Sequence, residues 1–423
     1  MSDDSGIRIS RLDNGLTVIT DPMPAVETVS LGVWVNAGTR HETADVNGVS
    51  HLLEHMAFKG TERRSAQAIA EEMDAVGGHL NAYTCREHTA YYAKMLKEDV
   101  ELGVDILADI LQHAALDDEE LAREQAVVVQ EISQAVDTPD DIIFDHFQAT
   151  AFPEQAMGRP VLGTADLVRS FSRQTVAGYM HDHYGSGHMI LAAAGKIEHG
   201  AMVRLAEQHF TALPPTRPVT EERARYGGGD YREERDLEQV HLVLGFDGVS
   251  YEDPDFYPVS VLSALLGGGM SSRLFQEIRE RRGLAYSVYA FTSSFNDGGL
   301  FAIYAGTGAD ESADVVPVMC EEVRKVTQVI GADEVRRARA QIKAGILMAM
   351  ESTSARCEQL ARHLLAHGRT IPVEELVAKV DAVDVDAVLK AANRLFRRTP
   401  TFAAIGPLDN VAAYSSVRGW LAG

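Results

Sequence analysis

The sequence predicts an α+β fold built from two homologous domains. Short runs of alternating or continuous apolar residues, such as "TVSLGVWVNAG" and "QVHLVLGFDG", are typical of strands. Longer segments, residues 117–136 and 311–330, carry apolar residues at helical spacing. The same order of elements occurs twice along the chain. Together these observations favour two α/β domains in which helices cover a sheet.

The best domain boundary lies near the middle of the 423-residue chain. The stretch "ALPPTRPVTEERARYGGGD", residues 212–230, contains Pro214, Pro215, Pro218 and three consecutive glycines, which interrupt any regular element. A chain of this length also exceeds what one hydrophobic core usually supports. We therefore predict an N-terminal domain of residues 1–213, a linker of residues 214–230 and a C-terminal domain of residues 231–423.

The elements of the two halves follow in parallel. In the first half the strand within residues 27–42 precedes a helix, a second helix near residues 64–76 and the strand "HLNAYT". In the second half the strand within residues 238–253 precedes "FYPVSVLSALLGGG", then "SSRLFQEIRERRG" and the strand "LAYSVYAF". The polar helix of the first half has a counterpart that is apolar. Metal-ligand chemistry is therefore expected in one copy only.

Composition excludes several classes of protein. The formal net charge of −23 argues against nucleic acid as a partner, because a phosphate backbone requires a basic surface. No stretch of about twenty apolar residues could span a membrane, and the N-terminus lacks a signal peptide, so a soluble, cytoplasmic protein is expected. Cys85, Cys320 and Cys357 are too scattered for a disulfide framework, and we expect them to be reduced. The acidic balance favours basic ligands, or it only aids solubility.

The stretch "NGVSHLLEHMAFKG", residues 47–60, predicts an amphipathic helix over residues 47–58, with two histidines and a glutamate on one face. Its apolar stripe consists of Val49, Leu52, Leu53 and Met56. His51 and His55 are four residues apart and can direct ring nitrogens at one zinc ion. Glu54 can then act on a water molecule as a general base. The alternative is a solvated helix face that carries these residues by chance.

A third metal ligand must come from elsewhere in the chain, because catalytic zinc usually takes three protein ligands. Residues 117–136 predict a helix that places Glu124 and Glu131 seven residues apart on one side. Glu131 lies among apolar neighbours, where a carboxylate is costly unless it is paired or bound to a cation. We predict Glu131 as the third ligand. Glu124 is predicted to support the ligands or to face the substrate, or else it is an ordinary solvated glutamate.

These residues resemble the pitrilysin and insulinase family of zinc metallopeptidases. His51, His55 and Glu131 match the ligand pattern of that family, Glu54 its general base, and Glu124 a further glutamate. The segments "HLLEHMAFKGTERRS" and "GGHLNAYTCREHTAYYAK" are especially similar to the beta subunit of the mitochondrial processing peptidase. The resemblance implies a Zn²⁺ cofactor and two homologous domains that face each other across a cleft.

The resemblance also implies an arginine and a tyrosine seven residues apart in the second half. Arg279 and Tyr286 in "EIRERRGLAY" have that spacing and would stabilise the oxyanion. Arg281 and Arg282 compete for the arginine role. The nearby "GGGMSS", residues 267–272, lacks the ending of a phosphate-binding loop and does not indicate nucleotide binding.

The strand "HLNAYT" is predicted to bind the substrate. An exposed edge there can add an extended peptide as another strand, with Asn81, Ala82 and Tyr83 supplying backbone contacts. The resemblance supports this mode, which favours unfolded peptides. We therefore predict a zinc-dependent endopeptidase, expected to be a homodimer, with the cleft formed within one chain or across the dimer. The alternatives are a non-catalytic scaffold and a catalytic subunit that requires a different partner chain.

Overall fold

Two β-sheets, each packed against helices, organise the chain in the computed structural model, which describes residues 6–219 and 221–422. The first sheet consists of β1 (Arg8–Arg11), β2 (Thr17–Pro22), β3 (Thr28–Val35), β4 (His79–Thr84), β5 (Thr89–Leu96) and β6 (Met189–Gly195). Its order is β1-β2-β6-β3-β5-β4, with β2 and β6 parallel and the other neighbours antiparallel. The strand β4 therefore lies at one edge of this sheet.

The second sheet repeats this arrangement. It consists of β7 (Gly229–Glu234), β8 (Val240–Asp247), β9 (Ala285–Ser294), β10 (Gly299–Thr307) and β11 (Thr401–Gly406). Its order is β7-β11-β8-β10-β9, with β7 and β11 parallel. Each strand thus has a counterpart in the first sheet at the same position, and β9 is the edge strand that corresponds to β4. The predicted internal repeat is present in the sheets themselves.

The helices also follow the repeat. In the first half they are α1 (Val49–Ala57), α2 (Ala66–Ala75), α3 (Val100–His113), α4 (Asp118–Val136), α5 (Pro139–Ala151), α6 (Ala165–Ser170), α7 (Arg173–His183) and α8 (His199–His209). In the second half they are α9 (Phe256–Gly267), α10 (Ser312–Val326), α11 (Ala332–Ala349), α12 (Thr353–His367), α13 (Val373–Asp381), α14 (Val385–Leu395) and α15 (Tyr414–Ala422). A π-helical segment, Phe275–Arg281, stands where the first half has α2.

Two helices pack in the compact unit that holds the other half's sheet. The first unit comprises residues 1–133, 159–222 and 348–370, and the second comprises residues 134–158, 223–347 and 371–423. Ile143 and Phe147 of α5 pack on Val243 and Ala403 of the second sheet. The helix α12 covers the first sheet in the same way. The compact units therefore differ from the predicted boundaries by these two segments, because each helix buries its apolar face on the sheet encoded by the other half.

The predicted fold class is confirmed: the structure contains mixed helix and sheet in two similar halves. The predicted helix in residues 47–58 is observed as α1, and the one in residues 117–136 as α4. Cys85, Cys320 and Cys357 are free. Within residues 6–219 and 221–422, no helix combines the length and apolar character that crossing a membrane requires.

Candidate active site

The helix α1 is held at its N-terminus by a buried carboxylate that the sequence did not reveal. Glu42 accepts hydrogen bonds from the backbone N–H groups of Gly48 and Ser50, both at 2.8 Å, and from the side chains of Asn47 and Ser50. Gly48 has a φ of 98°, and a Cβ there would lie 2.8 Å from the carbonyl oxygen of Leu162. The start of α1 is therefore fixed by the hydrogen bonds to Glu42 and by close backbone approach at Gly48.

The rest of α1 separates apolar from polar side chains as its spacing predicts. Its buried residues are Val49, Ser50, Leu52, Leu53, Met56 and Ala57. His51, Glu54 and His55 share the other side, where His55 and Glu54 are half-buried. The rings of His51 and His55 have centroids 4.8 Å apart. One turn of helix thus presents two imidazoles side by side at the surface of a packed core.

Glu131 of α4 meets these two imidazoles. Its Oε2 lies 3.7 Å from Nε2 of His51 and 3.6 Å from Nε2 of His55. Two bonds of about 2.0–2.1 Å at a tetrahedral angle would place donor atoms about 3.3–3.4 Å apart, close to these separations. Two imidazole nitrogens and one carboxylate oxygen also form a donor set that zinc prefers. The three residues are the one such His, Cys, Asp or Glu cluster found in residues 6–219 and 221–422, and they fit a zinc ion.

The protonation of His51 suits a metal ligand. Burial, and secondarily the neighbouring His55, lower the pKa of His51 to about 4. The imidazole is therefore neutral near pH 7, and a ligand nitrogen must carry no proton to bind a cation.

Glu124 lies behind His55. Its Oε2 is 3.0 Å from Nδ1 of His55, and its Oε1 is 2.7 Å from Nζ of Lys59. The Glu124 side chain is only 6% exposed, so it is not an ordinary solvated glutamate. A proton on Nδ1 that points to Glu124 leaves Nε2 of His55 free for a metal. Of the predicted alternatives, this geometry matches support of a ligand. Lys59, which the sequence did not single out, balances the buried charge.

Glu54 lies on the same face of α1 and is held by the adjacent strand. The Thr84 hydroxyl at the end of β4 donates a hydrogen bond of 2.6 Å to Oε2 of Glu54. Burial raises the pKa of Glu54, while the Thr84 hydrogen bond and His55 lower it and the Glu131 charge raises it further. A raised pKa brings a carboxylate closer to the range in which it exchanges protons at neutral pH.

The predicted substrate strand is an edge strand. The strand β4 pairs only with β5 in the described sheet, which leaves its other side free to add a strand. The N–H of Ala82 donates 2.8 Å to the side chain of its own neighbour, Asn81. Tyr83 is engaged through its hydroxyl, which accepts a hydrogen bond from Nε1 of Trp34 and contacts His88. The unpaired edge of β4, rather than the Tyr83 side chain, is therefore available to a peptide.

A cavity of about 780 Å³ follows the same edge within the first unit. It is lined on one side by Phe58, Ile69 and Met73, and on the other by Trp34 and Glu358. Side chains of an added strand point alternately to the two sides of a sheet. An extended peptide on β4 would therefore place successive side chains against both walls.

Arg279 and Tyr286 contact each other within the second unit. The Arg279 guanidinium carbon lies 4.5 Å from the Tyr286 ring centroid and 4.8 Å from that of Phe275, and Nη1 donates 2.9 Å to the Tyr286 carbonyl. The Tyr286 side chain is exposed. Arg281 forms an ion pair with Glu277, whereas Arg279 stacks on rings. Of the competing arginines, Arg279 is the one that the fold joins to Tyr286.

Comparison with known proteins gives a consistent result along most of the chain. The profile of the insulinase family, peptidase family M16, matches residues 17–165, and that of the peptidase M16 inactive domain matches residues 170–342. A protein of Rickettsia felis named as an uncharacterized zinc protease is 40% identical over 402 residues, covering 95% of this chain and 98% of the relative. A probable mitochondrial-processing peptidase subunit beta of Arabidopsis thaliana is 38% identical, covering 97% of this chain and 80% of the relative.

A solved structure shares the fold. The crystal structure of a protease from Helicobacter pylori superposes with a TM-score of 0.87 at 21% identity, covering 95% of this chain and 99% of that one. At this identity the likeness concerns the fold alone. The name of the second matched profile agrees with a second half in which the counterpart of α1 carries no histidine.

Proposed function

The chain belongs to the insulinase family of zinc-dependent metalloproteases, peptidase family M16, and from this premise we propose that it is an endopeptidase of extended peptides. The single observation that carries the proposal is the meeting of His51, His55 and Glu131, whose ligand atoms all lie within 4.8 Å of one another. We propose that these three residues hold the zinc ion. When bound there, zinc supplies the Lewis acidity that polarises a carbonyl and makes water nucleophilic near neutral pH.

Glu54 is the proposed general base. Its carboxylate lies on the ligand-bearing face of α1 without belonging to the ligand cluster. It takes the proton of the attacking water and returns it to the leaving amine, so that one group serves both halves of the reaction. The partial burial of Glu54 supports this role, because a less solvated carboxylate binds a proton more readily.

The peptide is proposed to pair with the free edge of β4. Asn81, Ala82 and Tyr83 supply backbone donors and acceptors, and the peptide N–H and C=O groups replace the local bond between Ala82 and the Asn81 side chain. Backbone pairing requires an extended chain and places no strict demand on side-chain identity. Unfolded or extended peptides are therefore the proposed substrates.

Arg279 and Tyr286 are proposed to bind substrate carbonyls and to stabilise the negative charge that develops on the carbonyl oxygen. A guanidinium that stacks on aromatic rings keeps its donors oriented while its charge remains available. The contact between the two side chains supports a joint role, although they lie in the second compact unit.

We also propose a substrate preference, an oligomeric state and a cellular location. The net charge of −23 supports a preference for basic peptides, and a cleavage panel that favours acidic peptides would contradict it. A homodimer and a cytoplasmic location are also proposed. Sedimentation of the purified protein tests the first, and fractionation of cells tests the second.

The decisive experiment compares the wild-type protein with Glu54→Gln on a quenched fluorescent basic peptide, with zinc content measured in both. We expect the variant to keep zinc and to lose activity by about 10²–10⁴-fold, the usual contribution of a general base. The matched control is Glu119→Gln, an exposed glutamate of α4, which should cleave as the wild type does.

The same experiment separates the alternatives. If the zinc-loaded wild type cleaves nothing, a scaffold or a subunit that needs a different partner replaces the proposal. If Glu54→Gln remains active, the chain is still a zinc protease, but another group acts as the base. The complete set of His51, Glu54, His55 and Glu131 argues against the scaffold, since polar groups gathered this closely on a partly buried face lose hydration and are costly to retain.

A further inference from the structure

We propose that Thr84 is a positioning residue of the peptidase: its hydroxyl holds the Glu54 carboxylate in the orientation in which it accepts the proton of the attacking water. This inference rests on the proposed role of Glu54 as the general base. It gives β4 a second task beside the proposed binding of the peptide backbone.

The contact joins a stiff side chain to a flexible one. The Thr84 hydroxyl donates to Oε2 of Glu54 over 2.6 Å, and Thr84 is the final residue of β4. Threonine is branched at Cβ and has few χ1 states, whereas a glutamate side chain rotates about three bonds. A single strong bond from Thr84 therefore restricts the motion of Glu54 much more than Glu54 restricts that of Thr84.

The end of the β4–β5 hairpin is itself fixed from several sides. The Thr89 hydroxyl, opposite Thr84, donates 2.9 Å to the carbonyl oxygen of Ala37. Arg40 and Glu87 form a buried ion pair of 2.6 Å at the turn. The N–H of Cys85, the next residue after Thr84, donates 2.9 Å to the His88 carbonyl. Thr84 thus extends from a rigid support, which is what a positioning residue requires.

The bond leaves Glu54 able to carry a proton. The Thr84 hydroxyl donates to Oε2, so this contact does not involve the other carboxylate oxygen, Oε1. Oε1 can therefore accept the proton while the hydroxyl of Thr84 continues to donate to Oε2. The sequence of proton transfers then needs no rearrangement of the Thr84 contact.

The strand β4 couples binding to chemistry through its backbone. Asn81, Ala82 and Tyr83, the proposed peptide contacts, directly precede Thr84 in the same strand. A peptide paired with β4 would have its register fixed relative to Thr84, and thereby relative to Glu54. The distance between the base and the scissile bond would then depend on strand geometry, in which a misplacement of about 1 Å can cost about a hundredfold in rate.

The test uses the full-length, zinc-loaded protein and the quenched fluorescent peptide. We expect Thr84→Val, which keeps the shape but removes the hydroxyl, to lower kcat on the order of tenfold to a hundredfold. KM and zinc content should remain close to those of the wild type. Thr84→Ser, which restores the hydroxyl, should recover most of the lost kcat.

Thr20→Val is the matched control, because it removes the hydroxyl of a buried threonine of the first sheet that contacts His199 and lies outside the β4–β5 hairpin. We expect it to lower thermal stability while kcat of the folded fraction stays near the wild-type value. The proposal is overturned if Thr84→Val retains full kcat, if Thr84→Ser is as impaired as Thr84→Val, or if the loss appears in KM or zinc content alone.

Glu54→Gln, measured in parallel, separates this proposal from the one beneath it. If Glu54→Gln is inactive and Thr84→Val is fully active, only the role of Thr84 fails. If Glu54→Gln is itself active, the role of Glu54 as the base fails, and the role of Thr84 fails with it.

Discussion

The two halves of the chain build similar sheets and helices, but within residues 6–219 and 221–422 only the first half gathers side chains into a cluster that fits a metal ion. The helix α1 carries His51 and His55, whereas its counterpart α9 is nearly all apolar, with Val259 and Leu262 buried. The helix α4 supplies Glu131, whereas the carboxylates of α11 lie in its first turn. The proposed zinc site is therefore an addition to an arrangement of helices and strands that the second half forms without such side chains, and its residues are retained at a cost in desolvation.

The helices α5 and α12, each of which packs on the sheet of the other half, differ in the polarity of their buried contacts. The helix α5 packs on the second sheet through apolar contacts such as those of Ile143 and Phe147. The helix α12 also makes polar contacts with the first sheet, where Arg356 lies 2.7 Å from the buried Asp21 and Ser30 contacts Thr353. The helix α5 makes a polar contact as well, where His146 Nε2 lies 3.5 Å from Glu233 of β7, but both of these side chains are partly exposed, whereas Asp21 is buried.

The largest effect is expected when a proposed metal ligand is removed from the first half. We expect Glu131→Ala to lose zinc and to reduce activity on the order of a thousandfold or more, since several kcal/mol of charge stabilisation disappear. Elemental analysis and peptide cleavage measure both effects. The control is Asp333→Ala on the counterpart helix α11, where the carboxylate is exposed. Equal zinc loss in the control would contradict a site confined to one copy.

The next largest effect is expected on the free energy of unfolding when the ion pair between Arg356 of α12 and Asp21 is broken. Arg356→Met leaves the Asp21 carboxylate buried and unpaired, which should lower the free energy of unfolding by about 3–5 kcal/mol. Urea unfolding followed by the fluorescence of Trp34, which packs in the same cluster, measures this. Arg362→Met on the same helix is the control, because its side chain is half exposed and should cost less than about 1 kcal/mol.

The Arg356→Met variant should also change how folding stability depends on pH. Burial raises the pKa of Asp21 above its ordinary value, while Arg356 lowers it in part. Between the ordinary and the raised pKa the folded state binds more protons than the unfolded state, so stability falls as pH rises through that range. Without Arg356 the pKa rises further, and the fall from about pH 4 to pH 8 should be larger than in the wild type. An equal fall in both proteins would contradict this.

The anchors of α1 and α9 should differ in their effect on stability. Glu42→Ala leaves several buried donors at the start of α1 unsatisfied and should cost about 2–3 kcal/mol. At the start of α9, Asp253 is paired with the partly exposed Arg394, and Asp253→Ala should cost about 1 kcal/mol or less. Thermal unfolding of both variants tests the difference. Similar losses would mean that the two helix starts are equivalent.

The smallest expected effect concerns the support of a ligand. Glu124→Ala removes the partner of His55 Nδ1 and should weaken zinc binding about 10–100-fold without abolishing it. Competition with a zinc chelator measures the affinity, and Glu119→Ala on the exposed side of α4 should leave it unchanged. An unchanged affinity in Glu124→Ala would remove this residue from the site.

The sequence alone determined the local features. The spacing of Val49, Leu52 and Met56 predicted the buried face of α1, and the i, i+4 spacing of His51 and His55 put both on the opposite face. These follow from helix geometry, in which the direction of a side chain depends only on its position in the turn. The repeated order of elements likewise predicted the two similar sheets.

The contacts between residues distant in the sequence became visible in the folded structure. Glu42 at the start of α1, Lys59 beside Glu124 and Thr84 beside Glu54 carry no periodic or motif signal. The packing of α5 and α12 on the sheet of the other half could not be predicted either. The apolar face of an amphipathic helix indicates that it is buried but not on which sheet. Such contacts depend on how the whole core packs, and that is a property of all the residues together rather than of any short stretch.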